Sequence, residues 1–172
     1  MPRNIEIKAR IPGVAALRAR AAAVADEGPI EIEQDDTFFV CAGGRLKLRA
    51  FSRERGELIF YRRADQMGPK ESFYVRSPTA DPDSLREALT LAYGASARVR
   101  KHRTLFLAGR TRIHLDEVAD LGSFLELEVV LGDHDASADG VRTAQDLMAR
   151  LGVEPHQLVD ASYVDLLARQ QG

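Results

Sequence analysis

The feature that most constrains this chain is a two-residue alternation that keeps returning with one fully polar face. In the segment NIEIKARI, residues 4–11, read as a strand, Asn4, Glu6, Lys8 and Arg10 fall on one side and Ile5, Ile7, Ala9 and Ile11 on the other, because successive side chains of a strand point to opposite faces. The pattern returns where Arg45, Lys47 and Arg49 alternate with Leu46 and Leu48, and where Glu126 and Glu128 alternate with Leu125, Leu127 and Val129. It returns again where Lys101 and Arg103 oppose Arg100 and His102. An open sheet with one wet side accounts for any one such strand. It accounts poorly for all of them, because the charges segregate by sign whereas a solvent face ordinarily mixes both. Basic residues dominate 45–49, 62–63, 70–76 and 101–112, and acidic ones stand at Glu6, Asp116, Glu126 and Glu128.

Turn chemistry sets how these strands connect. Alternating runs at 33–40, 45–51, 57–63 and 70–76 are separated by Gly43-Gly44, Gly56 and Gly68-Pro69, punctuation that joins antiparallel hairpins. Further strands are expected within 97–109, 110–118 and 123–131. Helical spacing predicts a helix over 12–28, ended by Gly28-Pro29, and another over 81–94 with Asp81 as N-cap and Pro82 in its first turn. Two more are expected at about 138–151 and 160–169. The Arg-rich stretch 17–20 reads as a solvated helix face, and Phe38, Phe39, Phe106 and Phe124 as core or rim aromatics. About eight strands with helices packed outside make an α+β domain over 1–172 with no clear linker, and eight strands can close into a barrel whose inward positions alternate with outward ones.

Closure gives the polar faces a destination. A lumen holding many cations and a cluster of carboxylates is strongly repulsive when empty and dry. It calls for a ligand that is itself highly charged, and a polyphosphate with a bound divalent cation satisfies both halves. Arginine and lysine supply charge-assisted bonds to phosphoryl oxygens, and carboxylates suit Mg²⁺ or Mn²⁺. No Ser-His-Asp or Cys-His set is arranged for a covalent intermediate, so the attacking group is water or a substrate hydroxyl. The formal charge of −2 and pI near 6.1 provide no global basic field for nucleic acid or an anionic membrane. Cys41 is the only cysteine, which excludes an internal disulfide and a cysteine zinc cage. No apolar run approaches the roughly 20 residues that span a bilayer, and MPRNIEIK lacks a signal-peptide apolar segment. A cytoplasmic protein with no nucleic-acid or membrane partner is expected, with a homodimer left open.

The residues also match a family in order. NIEIK at 4–8 resembles the ExExK signature of the CYTH superfamily, the triphosphate tunnel metalloenzymes, which includes class IV adenylyl cyclases and thiamine triphosphatases. QDDTFF (34–39), RLKLR (45–49), RKHR (100–103), IHLDEV (113–118), LGSFLELE (121–128) and ASYVDLL (161–167) agree with it, most closely with the class IV cyclase branch. The resemblance implies a closed antiparallel eight-stranded barrel forming a tunnel. It implies Glu6, Glu126 and Glu128 as ligands of Mg²⁺ or Mn²⁺, with Asp116 a ligand or a partner of one, and these four with Lys8 as the catalytic set. Lys8, Lys47, Arg49, Arg63, Lys101 and Arg103 would hold the triphosphate. The implied reaction is ATP to cyclic AMP and pyrophosphate. The alternatives are hydrolysis of inorganic or thiamine triphosphate, and a binder without turnover.

The chain departs from the pattern at Asn4, where the first signature glutamate should stand, so the site loses one negative charge. Tyr61 stands where a tunnel lysine is common, with Arg63 placed to compensate. His114 shares a face with Asp116 and could orient it or touch phosphate. Ser72 and Tyr74 are candidates for substrate contact. Ser162-Tyr163 match a family tail motif that helix docking alone would explain.

Overall fold

The computed structural model describes residues 2–64 and 66–172. Eight strands are formed, β1 (Arg3–Arg10), β2 (Glu27–Phe39), β3 (Arg45–Ala50), β4 (Gly56–Arg63), β5 (Lys70–Thr79), β6 (Ala95–Ala108), β7 (Thr111–Val118) and β8 (Gly122–Leu131). Four helices accompany them, α1 (Val14–Val24), α2 (Pro82–Tyr93), α3 (Ser137–Arg150) and α4 (Tyr163–Gln170). The strands neighbour one another in the order β1-β5-β4-β3-β2-β6-β7-β8, and β8 pairs back onto β1, so the antiparallel sheet is a closed barrel. Two hairpin runs, β2 to β5 and β6 to β8, are joined along the long β2–β6 pairing, and β1 closes the ring between β5 and β8. In that seam Asn4 faces Ser72, Glu6 faces Glu128, and Lys8 faces Glu126.

The apolar faces point outward, so the main hydrophobic core lies between the barrel wall and the helices. Ile7 and Ala9 of β1, Phe106, Ile113, Leu115, Leu125 and Leu127 pack against Val14, Leu17 and Ala21 of α1 and Leu147 and Leu151 of α3. These three positions of α1 have the spacing of one helix face, which is why this Ala-rich segment docks rather than stays in solvent. In α2 the Asp81 carboxylate accepts from the Ser84 amide at 3.1 Å, as the N-cap reading requires. Its apolar face is only half used: Leu85 and Leu89 are half-buried and Ala92 is exposed.

The first helix ends at Val24, four residues before the Gly28-Pro29 pair expected to stop it. The chain enters the sheet earlier because the Asp26 amide donates to the Leu107 carbonyl at 2.7 Å and the Asp26 carboxylate accepts from the Gly109 amide at 2.6 Å. Gly28-Pro29 instead lies in the irregularity between Glu27 and Ile30 where β2 shifts register against β6. Gly28 is held at φ +114°, and a β-carbon there would sit 2.7 Å from the Leu105 carbonyl oxygen, so the glycine serves a bulge and not a helix end.

Gly140 marks the closest approach of α3 to the barrel. A β-carbon there would lie 2.6 Å from Ile5 Cγ1 and 2.8 Å from Leu131 Cδ2. On helix propensity alone Gly→Ala gains about 1 kcal/mol, but overpacking a fixed contact typically costs about 1–3 kcal/mol. Gly140→Ala is therefore expected to lower the urea midpoint of unfolding. A midpoint at or above that of the wild type would show that α3 does not press on β1 and β8 as described.

Candidate functional site

The inward faces of all eight strands line one cavity of about 310 Å³. Eight lysines and arginines line it against five carboxylates. The inward set includes every expected residue except Asp116: Glu6 and Lys8 from β1, Lys47 and Arg49 from β3, Arg63 from β4, Lys101 and Arg103 from β6, and Glu126 and Glu128 from β8. Asn4, Ser72, Tyr74 and His114 also face inward.

One end of the barrel is plugged by α4 and the turn before it. Ser162 caps the helix by accepting from the Asp165 amide at 3.2 Å, and Arg45 donates to Ser162 Oγ at 3.0 Å and to the Asp165 carboxylate at 2.7 Å. Lys8 Nζ donates to the Ala161 carbonyl at 3.3 Å and lies 3.9 Å from the centre of the Tyr163 ring, with Lys101 Nζ 4.8 Å from the same ring. Lys47 Nζ sits over Phe38 and Tyr61, which share an apolar cluster with Tyr163. The far end is open. There the Arg76 side chain is 48% exposed, against 4% for Lys101. Arg112 pairs with Glu128 at this end, and Ile32 on β2, Leu105 on β6 and Phe51 just past β3 supply an apolar stretch of wall.

Two carboxylates act inside this field as fixed counter-charges. Asp36 accepts from Lys47 at 3.0 Å and from Arg49 at 2.8 and 2.7 Å. Burial alone would raise its pKa, but Arg49 and Lys47 outweigh that and hold the carboxyl far below the ordinary range. Asp116, fully buried, accepts from Arg103 Nε and Nη2 at 2.7 Å each and from the Tyr163 hydroxyl at 2.8 Å. Against the push of burial, Arg103 and Lys101 hold it at about 2. Both Asp116 oxygens are thus occupied. Asp116 is not one of the grouped donors His114, Glu126 and Glu128; it meets them through Arg103, whose Nη2 also donates to Glu126 at 3.2 Å. His114 does not orient it either.

The remaining carboxylates are less spoken for. Glu6 accepts from Arg63 at 2.9 Å, and burial with the facing Glu128 raises its pKa. Glu126 meets Lys8 at 3.3 Å and Arg103 at 3.2 Å. Burial opposes ionisation of Glu128, but His114, Arg112 and Arg103 bring it to about 2. His114 shares a group with these last two: one donor atom each from His114, Glu126 and Glu128 lie within 4.8 Å of one another. Burial and Arg103 push the imidazole down to about 3, so it is neutral near pH 7. Two carboxylate oxygens and a neutral imidazole nitrogen are a donor set that fits a divalent cation.

Among the described residues, the buried side-chain polar atoms with no hydrogen-bond partner are Asn4 Oδ1, Gln34 Oε1, Arg63 Nε and His114 Nδ1. All four belong to residues that line the cavity. An unpaired buried polar atom costs about 1–3 kcal/mol, and such atoms gathered on one surface indicate a surface built to be filled. Asp36, Gln34, Arg76, Arg112 and Glu57 are inward residues that sequence reasoning passed over. Extending the period of two was the available signal, since Gln34 and Asp36 share parity with Phe38, Arg76 with Tyr74, and Arg112 with His114.

The CYTH domain model matches residues 2–163. The chain belongs to the CYTH domain family. A search of curated proteins returned no match. Among solved structures, the PH1012 protein of Pyrococcus horikoshii OT3 is similar at TM-score 0.82 and 20% identity, over 95% of this chain and 98% of that one. A candidate adenylate cyclase from Vibrio parahaemolyticus follows at 0.78 and 18%, over 96% and 97%. A candidate adenylyl cyclase from Hippeastrum, whose dominant activity is that of a triphosphatase, stands at 0.64 and 15%, over 98% and 96%. At such identities the likeness is one of fold. Among the described residues no helix of this CYTH chain is long and apolar enough to cross a membrane.

The counter-charges give the fold a defined acid limb. Asp36, Asp116, Glu126 and Glu128 all ionise more readily folded than free, so the unfolded chain takes up protons first as pH falls. Their stabilisation is complete above the unfolded carboxyl range near 4 and lost as pH drops toward 2. Glu6 works in the opposite sense, and His114, held neutral down to about 3, adds to the loss from its unfolded value near 6.5 downward. Urea unfolding measured from pH 6 to pH 2 should show stability falling steeply below about pH 4. A flat profile would mean these carboxyls are not paired as described.

Proposed function

We propose that this CYTH protein binds the triphosphate of ATP in the lumen together with Mg²⁺ or Mn²⁺ and converts it to cyclic AMP and pyrophosphate, the class IV adenylyl cyclase reaction. The observation that carries the reading is the order of groups along the barrel. Lys8, Lys47 and Lys101 lie against the plug. Glu126, Glu128 and His114 follow, and then the open end with Arg112, Arg76 and the apolar wall of Ile32, Leu105 and Phe51. An ATP entering tail first sets its β- and γ-phosphates among the deep cations and its α-phosphorus beside the carboxylates. Ribose and base then rest on the apolar wall.

A divalent ion held by Glu126 and Glu128 supplies Lewis-acid polarisation of the phosphoryl oxygens. The chain's own residues do the rest by position and charge. Arg103, fixed by Asp116 and Tyr163, presents its guanidinium to negative charge building on the departing pyrophosphate. Lys8, brought by burial to about 8, gives up a proton readily at neutral pH and is placed to protonate that leaving group. The ribose 3′-hydroxyl, turned toward the open end, attacks the α-phosphorus and loses its proton to solvent there. Glu6 and Arg63, paired across β1 and β4, complete the wall that excludes water from the tail.

A second reading, hydrolysis of the terminal phosphate, is favoured by the dominant activity of the similar Hippeastrum protein. The two differ in which phosphorus reacts. Purified protein incubated with ATP, inorganic triphosphate or thiamine triphosphate, each with Mg²⁺ or Mn²⁺, should yield cyclic AMP and pyrophosphate in equal amounts from ATP. Orthophosphate as the sole product would assign the protein to the triphosphatases. Saturable binding without product would leave it a binder.

A further inference from the structure

We infer, on the metal reading of the lumen above, that His114 is a direct ligand of the ion held by Glu126 and Glu128 and that this nitrogen makes the site select Mn²⁺ over Mg²⁺. Three observations converge on it. The first is an orphan: His114 is 4% exposed, yet its Nδ1 has no hydrogen-bond partner. The second is distance. Nδ1 lies 3.9 Å from a Glu126 oxygen and 3.8 Å from a Glu128 oxygen, too far for hydrogen bonds. Atoms that each bind an ion at about 2.0–2.2 Å can stand up to about 4.3 Å apart, so both spacings fit shared ligation.

The third observation is register. His114 faces Glu126 directly across β7 and β8, and Glu128 is the next inward residue along β8, so the backbone ladder itself holds the three donors on one patch. Among the described residues no other set of histidine, cysteine or carboxylate side chains gathers three donor atoms this closely. Asp36 is engaged by Lys47 and Arg49, Asp116 by Arg103 and Tyr163, Glu57 by Arg76 and Glu6 by Arg63; Glu126 and Glu128 also meet Lys8, Arg103 and Arg112, and differ in having His114 beside them.

Selectivity follows from the donor types. Mg²⁺ demands an oxygen octahedron and gives up water reluctantly. Imidazole is a softer donor that suits first-row transition ions better than it suits Mg²⁺.

The test is binding without nucleotide, so it reads the metal site whatever the reaction proves to be. The full chain is titrated with Mn²⁺ while the free-ion electron paramagnetic resonance signal is followed, with Mg²⁺ as competitor. The bound spectrum is examined for nitrogen coupling by electron spin-echo modulation. Wild type should bind Mn²⁺ about tenfold or more tighter than Mg²⁺ and show the coupling. His114→Ala should weaken Mn²⁺ about 10–100-fold, remove the coupling and barely move Mg²⁺. His114→Gln, closer in volume, guards against a folding defect, checked by circular dichroism. Loss of Mn²⁺ binding in Glu126→Gln with none in His114→Ala overturns the histidine ligand and leaves the metal reading standing. Bound Mn²⁺ without nitrogen coupling in the wild type does the same, and no Mn²⁺ binding at all overturns both.

Discussion

Like charge crowded into a closed space is the condition on which the rest of this structure depends. Two like charges about 4 Å apart repel by roughly 4 kcal/mol at an effective dielectric of 20, and eight cationic side chains share this one cavity. A barrel tolerates this because its backbone polar groups are satisfied in the ladder, leaving the side chains to be chosen for charge alone. The hydrophobic stabilisation is moved outside, to the layer between wall and helices. Inside, repulsion is managed by a division of labour among the acids. Asp36 and Asp116 are spent on holding arginines and lysines in place, and Glu126, Glu128 and Glu6 remain near the centre, where an ion and a polyanion can complete the balance.

How much of this was legible in the sequence depends on range. Period-two alternation is local, and it separated the two faces of β1, β3, β6 and β8 residue by residue; in β6, where Arg100 and His102 are as polar as Lys101 and Arg103, the family resemblance was needed to say which pair faces in. The ordered family motifs supplied closure. Register is not local. Nothing near residue 4 says that β1 closes the ring between β5 and β8, or that Glu6 will stand opposite Glu128. The same limit hid the partner of Asp116. IHLDEV presents an acid on the inward face, as a metal ligand would be, and only the β6–β7 pairing shows that Arg103 sits directly across from it. Gly28-Pro29 misled for a related reason, since its turn chemistry serves a bulge as well as a helix end.

His114 and Tyr163 show the other side of that limit. Each has a plain structural explanation in the sequence, a core histidine and a docking helix. In the structure Tyr163 ties the plug to the charge lattice through Asp116 and covers Lys8, so the C-terminal helix is continuous with the site. His114 keeps a free nitrogen beside two carboxylates at a depth where most polar atoms are paired. Such departures from local satisfaction are where a fold's working parts show themselves.

The central claim is that the lumen is a cation cage completed by a polyphosphate. Thermal unfolding in the presence of inorganic triphosphate, with chelator present to prevent turnover, tests it most directly. A ligand bound only by the folded state stabilises by about 2.7 kcal/mol at one hundred times its dissociation constant. The melting temperature should therefore climb with triphosphate concentration, less with pyrophosphate and least with phosphate, and Lys47→Met should blunt the climb. No concentration-dependent rise, or an equal rise with all three anions, would contradict the account.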